Sequence, residues 1–248
     1  MLIQDLKLVK LSLLFFLLHC LIFYANAQNE IIVGGEYTKV SNYISEAKLK
    51  DLKSKFGRNK GIPKKYELQI LLALSHYPQL NDVSIEFIEK KVFAPLSALP
   101  SVPSMISPFA NRKYRVIISL KSTIEMERIL LKNLPLNAQV GVLGHELAHI
   151  LDYDQRSFSE LLAVAINYGV NPAYHAWYEK KTDLRAIENG LGWELYAYSK
   201  YVRTIFGSEE REVNLSDDFY LHFNEILYEM QKTDLYNIYF QPNSINKR

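Results

Sequence analysis

The pentapeptide His145-Glu146-Leu147-Ala148-His149 lies inside an apolar stretch that runs from Val140 to Leu151. On an α-helix, residues i and i+4 lie one turn apart on the same face, so both imidazoles can point at one metal ion. Glu146 projects from a neighbouring part of the helix surface, where its carboxylate can reach a water at the metal without being a ligand. The stretch therefore predicts a buried helix that carries two zinc ligands and a general base.

A hydrolytic zinc site normally has three protein ligands and an open position for water. The longer motif H-E-x-x-H-x-x-G-x-x-H is absent, because Asp152 and Gln155 stand at its Gly and third His positions. Further along, Glu179 and Asp183 are four residues apart in a stretch without Gly or Pro, residues 173–189. At this spacing two carboxylates share a helix face. Glu179 can then bind the metal while Asp183 accepts a hydrogen bond from a liganding imidazole.

Other acids are weaker alternatives for the third ligand. Glu160 stands near the start of the next apolar segment, where an acid in the first turn of a helix is favoured by the helix dipole. Glu188 has no acid four residues later, and the glycines that follow it indicate the end of a helix. Asp152 and Asp154 follow His149 too closely on the same helix to turn back to the metal.

The two motifs together, within roughly residues 114–191, resemble the gluzincin zinc metallopeptidases. This resemblance implies that His145, His149 and Glu179 bind zinc, that Glu146 is the general base, and that Asp183 orients a liganding imidazole. It also implies an α+β, zincin-like fold with a small N-terminal sheet packed on the motif helix and a helical C-terminal half that carries Glu179.

Peptide hydrolysis also needs a hydrogen-bond donor for the tetrahedral oxyanion. The candidates are His175, Tyr153 and Tyr178, followed by Tyr196 and Tyr198. Because the chain has 17 tyrosines, each of these is individually expected to be structural, and His175 is expected to pack in an aromatic patch. An extended substrate would pair with an exposed strand edge, for which residues 114–120 are the expected strand.

The amino terminus predicts export. Two lysines precede an uncharged run from Leu11 to Tyr24, and Ala25-Asn26-Ala27 supplies the small residues of a cleavage site. This combination is typical of a secretory signal peptide, residues 1–27, cut after Ala27. The run is short for a membrane span, so a retained anchor is only the alternative, and no stable membrane insertion is expected after cleavage. The one cysteine lies in this segment, so disulfides and thiol chemistry are not expected in the mature chain.

Composition bounds the remaining residues, 28–248, to a single domain with a sizeable core, since 48% of the chain is apolar. The formal net charge is only +2. A modest cluster of basic residues from Lys48 to Lys65 is better explained by a solvated surface than by nucleic-acid binding. A peptide or protein substrate is the expected partner.

Hydrophobic periodicity predicts strands first and helices afterwards, which is an α+β order. Residues 28–40 are expected to be extended or irregular, and the proline-rich stretch 94–113 to be a long loop. Strands are predicted at 83–88 and 114–120, and helices at 45–55, 64–76, 124–131, 158–168, 173–189, 191–205 and 217–232. Asn137 is the expected N-cap of the motif helix. Gly141 and Gly144 each cost that helix up to about 1 kcal/mol, which suggests close packing by the sheet or the metal site.

These features favour a secreted or periplasmic zinc endopeptidase. Two other classes stay open: a zinc-binding partner or sensor module without proteolysis, and an amidase that acts on cell-wall cross-bridges. An intact Glu146 argues against the former, because a module without catalysis has no need of a general base. No feature of the sequence separates the latter from proteolysis.

Overall fold

The computed structural model describes residues 46–101, 104, 112–121, 123–124, 126–207 and 219–240. The expected signal peptide, the segment 28–40 and residues 102–103 and 105–111 lie outside these ranges. The helices are α1 (Glu46–Phe56), α2 (Glu67–Ser75), α3 (Leu136–Asp154), α4 (Phe158–Val170), α5 (Pro172–Glu188), α6 (Gly192–Ile205), α7 (Phe223–Gln231) and α8 (Asn237–Phe240). The strands are β1 (Lys60–Gly61), β2 (Ser84–Lys90), β3 (Leu96–Pro100) and β4 (Lys113–Ser119).

This order confirms the α+β class, with a small four-stranded mixed sheet followed by a mostly helical C-terminal half. Short 3-10 turns replace the helix predicted at 124–131, at Met126–Ile129 and Leu131–Asn133. The other predicted helices that fall within the described residues are present, and the last one begins later than predicted, at Phe223. Among the residues described, none of the helices combines the length and the apolarity that crossing a bilayer requires.

The sheet has the order β1-β2-β4-β3. β2 pairs in parallel with β1 and β4, and β3 pairs antiparallel with β4. The expectation that residues 114–120 form an exposed edge is therefore wrong, because β4 has a hydrogen-bonded neighbour on each side. Among the described residues the edge strands are the two-residue β1 and β3, and β3 lies inside the stretch predicted to be loop. With five residues that end in a proline, β3 shows too little alternation for its sequence to indicate a strand.

The motif helix α3 is the centre of the molecule. Nearly all of its residues from Ala138 to Asp152 are buried, and it packs against β3, α2, α5 and α6. Its N-cap is Pro135, so the helix begins one residue before the predicted cap Asn137. Tyr77 donates a hydrogen bond to the Gly144 carbonyl at 2.7 Å, which ties α3 to the segment after α2.

The two glycines of α3 allow α6 to pack closely against it. The close neighbour is therefore a helix, and not the sheet or the metal site that the sequence suggested. A Cβ atom on Gly141 would lie 2.2 Å from the Glu194 carbonyl oxygen at the start of α6. A Cβ atom on Gly144 would lie 2.3 Å from a methyl carbon of Leu191. The helix-propensity cost of both glycines is thus offset by the close approach of α6 to α3.

Helices α4 and α5 form a hairpin that brings Glu179 to the motif helix. Ser157 and Glu160 make a capping box at the start of α4. Asn171 ends α4 and caps α5, with its side chain accepting a hydrogen bond from the Tyr174 backbone N–H. These local hydrogen bonds explain why the chain turns at these two points.

Candidate metal centre

Three ligand atoms from α3 and α5 converge in the interior. His145 Nε2 lies 3.1 Å from His149 Nε2 and 2.9 Å from Glu179 Oε2. His149 Nε2 lies 3.4 Å from the same Glu179 oxygen. All three side chains are buried, and together they form a group that could hold a metal ion. The structure thus brings together the three residues that the sequence singled out as ligands.

The outer nitrogen of His145 is held by Asp183. Its Nδ1 lies 2.7 Å from Asp183 Oδ1, and the other carboxylate oxygen accepts a hydrogen bond from the Leu221 backbone N–H at 2.8 Å. Asp183 is buried and one turn after Glu179 on α5. It therefore contacts a ligand imidazole, as expected, and also anchors the segment that leads into α7.

Thr182 performs the matching task for His149. Its hydroxyl donates to the Tyr178 carbonyl at 2.9 Å, so the oxygen can accept from His149 Nδ1, which is 3.3 Å away. Sequence reasoning missed this contact. The available signal was the position of Thr182, three residues after Glu179 and therefore on the same face of α5.

These two contacts determine which way the imidazoles point their lone pairs. If each Nδ1 carries the proton that Asp183 or Thr182 accepts, each Nε2 presents a lone pair to the centre. Those lone pairs meet a Glu179 carboxylate oxygen, so three acceptors face one another in a buried space. Three buried acceptors in this arrangement require a positive charge between them.

Electrostatics support the same conclusion. Burial lowers the pKa of His145, but hydrogen bonds to Asp183 and Glu179 outweigh it and place the pKa well above its usual range. Burial raises the pKa of Glu179, but the nearby charge of His149 and the His145 hydrogen bond hold it well below the usual range. The centre therefore favours a carboxylate paired with a cation, whether a proton or a metal ion supplies the charge.

Glu146 lies buried next to the ligands and against the edge strand. Burial raises the pKa of its carboxyl, and the Ala98 backbone N–H of β3, together with the two histidines, acts in the opposite direction. Glu146 lies outside the trio of converging ligand atoms. Its carboxylate thus lies close to both histidines and to the backbone of β3.

The tyrosines around the centre differ in what their hydroxyls contact. Tyr178 donates to Asp152 at 2.6 Å, so its hydroxyl is already committed, which argues against it as an oxyanion donor. Tyr168, which the sequence did not single out, hydrogen-bonds to Glu179 Oε1. Tyr153 stacks on the His149 ring and hydrogen-bonds to Tyr178. Its burial, together with the charges of Glu146 and Glu179, raises the pKa of its hydroxyl, which therefore stays protonated.

His175 is packed, as expected, and also close to a ligand. Its ring contacts Tyr168 and Phe219 with centroids 3.7 and 4.5 Å apart, and its Nε2 lies 3.7 Å from Glu179 Oε1. Tyr220 was missed by sequence reasoning: its ring lies edge-on to His145 at 5.6 Å, at the partly exposed side of the site.

The remaining sequence candidates lie elsewhere. Glu160 is an exposed capping residue, and Glu188 is exposed at the last position of α5. Asp152 binds Arg156 and Arg185, and Asp154 accepts from the Tyr114 hydroxyl. Tyr196 packs on Trp193 and Phe223, and Tyr198 is a partly buried residue at the edge of the core.

Comparisons of the chain with family models, with curated proteins and with solved structures found no match. The geometry of the candidate metal centre is therefore what supports a function for this chain.

Proposed function

We propose that the chain is a secreted or periplasmic zinc metallopeptidase of the gluzincin type, with a zincin-like arrangement of sheet and motif helix. The observation that carries this proposal is the convergence of His145, His149 and Glu179, with both outer imidazole nitrogens held by hydrogen-bond acceptors. Glu146 beside them supplies the general base that hydrolysis also requires.

The spacing of the ligand atoms fits zinc. Atoms bound to zinc at about 2.0–2.2 Å with tetrahedral angles lie roughly 3.3–3.6 Å from one another. The separations here are 3.1, 2.9 and 3.4 Å, so shifts of a few tenths of an ångström complete the geometry. Two imidazoles and one carboxylate also match the ligand set of catalytic zinc sites that keep a position open for water.

A zinc ion bound there would polarise a carbonyl and lower the pKa of a water molecule. Glu146 accepts a proton from the attacking water and returns it to the leaving amine. Because burial raises its pKa, its basicity is better matched to this double role than that of an exposed glutamate. Tyr178 is bound to Asp152 and Tyr153 hydrogen-bonds to Tyr178, so His175 and Tyr220 are the remaining candidates for the oxyanion donor.

The substrate chain would pair with the free edge of β3. This strand packs on the motif helix, and its Ala98 N–H faces Glu146, so a peptide added to the edge would pass directly by the general base. Backbone pairing of this kind holds an extended peptide independently of its side chains. Specificity then depends on the pockets next to the strand.

A Glu146→Gln variant tests the proposal. Glutamine keeps the shape but cannot take the proton, so the variant should retain zinc and lose peptide hydrolysis by at least roughly a hundredfold. The matched control is Glu188→Gln, an exposed position on α5, which should cleave a degenerate peptide library like the wild type.

Two outcomes would overturn the proposal. Full activity of Glu146→Gln would show that Glu146 is not the general base. A zinc-loaded wild type that cleaves no peptide would exclude peptidase activity. A parallel assay on peptidoglycan cross-bridge fragments separates these outcomes from amidase activity, and zinc binding without either activity would indicate a non-catalytic module.

A further inference from the structure

The α4–α5 hairpin ends in an apolar tip that points away from the core. Four side chains at intervals of four residues form an exposed stripe along α4: Phe158, Leu162, Ile166 and Val170. Ile166 and Val170 are 54% and 68% exposed, and Trp177 on α5 is 50% exposed. Only Leu161 and Val164 of α4 are buried. Helix α4 is thus apolar on both its inner and its outer face, which is unusual for a helix in contact with water.

The same part of the hairpin contains no charged residues. Between Glu160 and Glu179 the chain contains no Asp, Glu, Lys or Arg. After the buried Glu179, the first charged residues of α5 are Lys180 and Lys181. The Lys181 ammonium lies 5.0 Å from the centre of the exposed Trp177 ring. An apolar tip bordered by tryptophan and lysine is the pattern of an element that lies in a membrane interface.

The polar groups of the turn are satisfied within the hairpin. The Asn167 side chain donates to the Ala163 carbonyl at 2.8 Å, and the Asn171 backbone N–H donates to the Asn167 carbonyl at 2.9 Å. The Asn171 side chain and carbonyl accept from the backbone N–H groups of Tyr174 and His175. Internal satisfaction of these groups is what allows a turn to leave water for a lipid phase.

We propose that this hairpin tip, residues 162–177, docks on the surface of an anionic phospholipid bilayer. The apolar side chains would enter the boundary between headgroups and acyl chains, and Lys180 and Lys181 would face the lipid phosphates. With 13 residues α4 is too short to span a bilayer, so the contact is interfacial. The lack of acidic residues in the tip fits a negatively charged surface.

Docking in this way would bring the metal centre to the membrane. Tyr168 and Glu179, which contact each other at the centre, belong to the same hairpin as the apolar tip. Where the proposed peptidase function holds, its substrates would be peptides at or near a lipid surface. Vesicle binding itself does not require hydrolysis, so the Glu146→Gln variant should bind vesicles as well as the wild type.

Vesicle flotation with the mature chain tests the docking. The protein should float with vesicles of phosphatidylcholine and phosphatidylglycerol, and more weakly with phosphatidylcholine alone. The double variant Ile166→Ser/Val170→Ser should reduce binding to the anionic vesicles at least about tenfold, because it removes two large apolar side chains from the contact. The control Tyr228→Ser changes an exposed side chain on α7 and should bind like the wild type.

Two further measurements keep the test independent of folding. Lys181→Gln should reduce the difference in binding between anionic and neutral vesicles, because it removes a positive charge and leaves the apolar tip unchanged. In a Trp193→Phe background the emission of Trp177 should shift to the blue when anionic vesicles are added. Absence of flotation by folded wild type would overturn the proposal. So would a wild-type dimer that the double variant converts to monomer, because the tip would then be an interface between copies of the chain.

Discussion

The Nδ1 atom of His145 lies 2.7 Å from Oδ1 of Asp183, although 38 residues separate them in the chain. The second oxygen of Asp183 binds the backbone of Leu221, so one carboxylate connects the motif helix, α5 and the segment before α7. The orientation of a ligand is thus coupled to the packing of the C-terminal helices.

Glu179→Ala should abolish tight zinc binding, because it removes one of three ligands and leaves two imidazoles in a buried space. Zinc content after dialysis, measured by mass spectrometry, should fall from one ion per chain to near zero. Glu188→Ala, on the same helix but exposed, is the matched control and should keep its zinc. Undiminished zinc in Glu179→Ala would mean that another acid is the third ligand.

Asp183→Ala should weaken zinc affinity or turnover by roughly 10–100-fold without unfolding the domain, because the imidazole of His145 loses the acceptor that orients it. Competition with a chelator measures the affinity. Lys181→Ala, exposed on the same helix, should leave it unchanged. Equal affinities for these two variants would contradict a role for Asp183 at the centre.

Thr182→Val should weaken zinc binding about tenfold, since valine keeps the shape of threonine but cannot accept the His149 Nδ1–H. Thr204→Val provides a close control: the Thr204 hydroxyl also donates to the carbonyl four residues earlier, at 2.9 Å, but on α6. If both variants lose stability equally and neither changes zinc affinity, the Thr182 hydroxyl serves only the helix.

Gly141→Ala should destabilise the domain by about 1–3 kcal/mol, because its Cβ would lie 2.2 Å from the Glu194 carbonyl oxygen. Urea unfolding gives the free energy. Gly169→Ala places a Cβ in a helix with no heavy atom within 4 Å and should stabilise by about 0.5–1 kcal/mol. Similar effects of the two substitutions would rule out the close contact between α3 and α6.

Glu194 should make stability depend on pH. Burial raises the pKa of its carboxyl to about 7 in the folded protein, above its unfolded value of 4.5. The folded state then holds the proton more tightly, so stability is highest below pH 4.5 and declines as the pH rises to 7. Glu194→Gln should match the wild type near pH 4.5 and be more stable at pH 8, by up to roughly 3 kcal/mol. A constant difference across this range would contradict the raised pKa.

The sequence by itself singled out the candidate ligands on α3 and the candidate ligand on α5. His145 and His149 share a helix face because of the helical repeat alone, and Glu179 and Asp183 do so for the same reason. Local periodicity also predicted β2, β4 and most of the helices, but neither β1 nor β3. Each of these inferences depends on residues close together in the chain, whose geometry a helix or strand dictates.

Only the tertiary structure decided which strand has a free edge and which side chains complete the centre. Strand order depends on pairing between distant segments, so β4 proved to be internal and β3 proved to be one of the two edge strands. Thr182 and Tyr168 look like ordinary helix residues in the sequence, and they gain their roles because α5 packs beside α3 and α4 packs beside α5. The same holds for Gly141, whose lack of a side chain has a purpose only where α6 passes it. Contacts of this kind are set by packing between elements, so local sequence patterns do not identify the partner that a residue will meet.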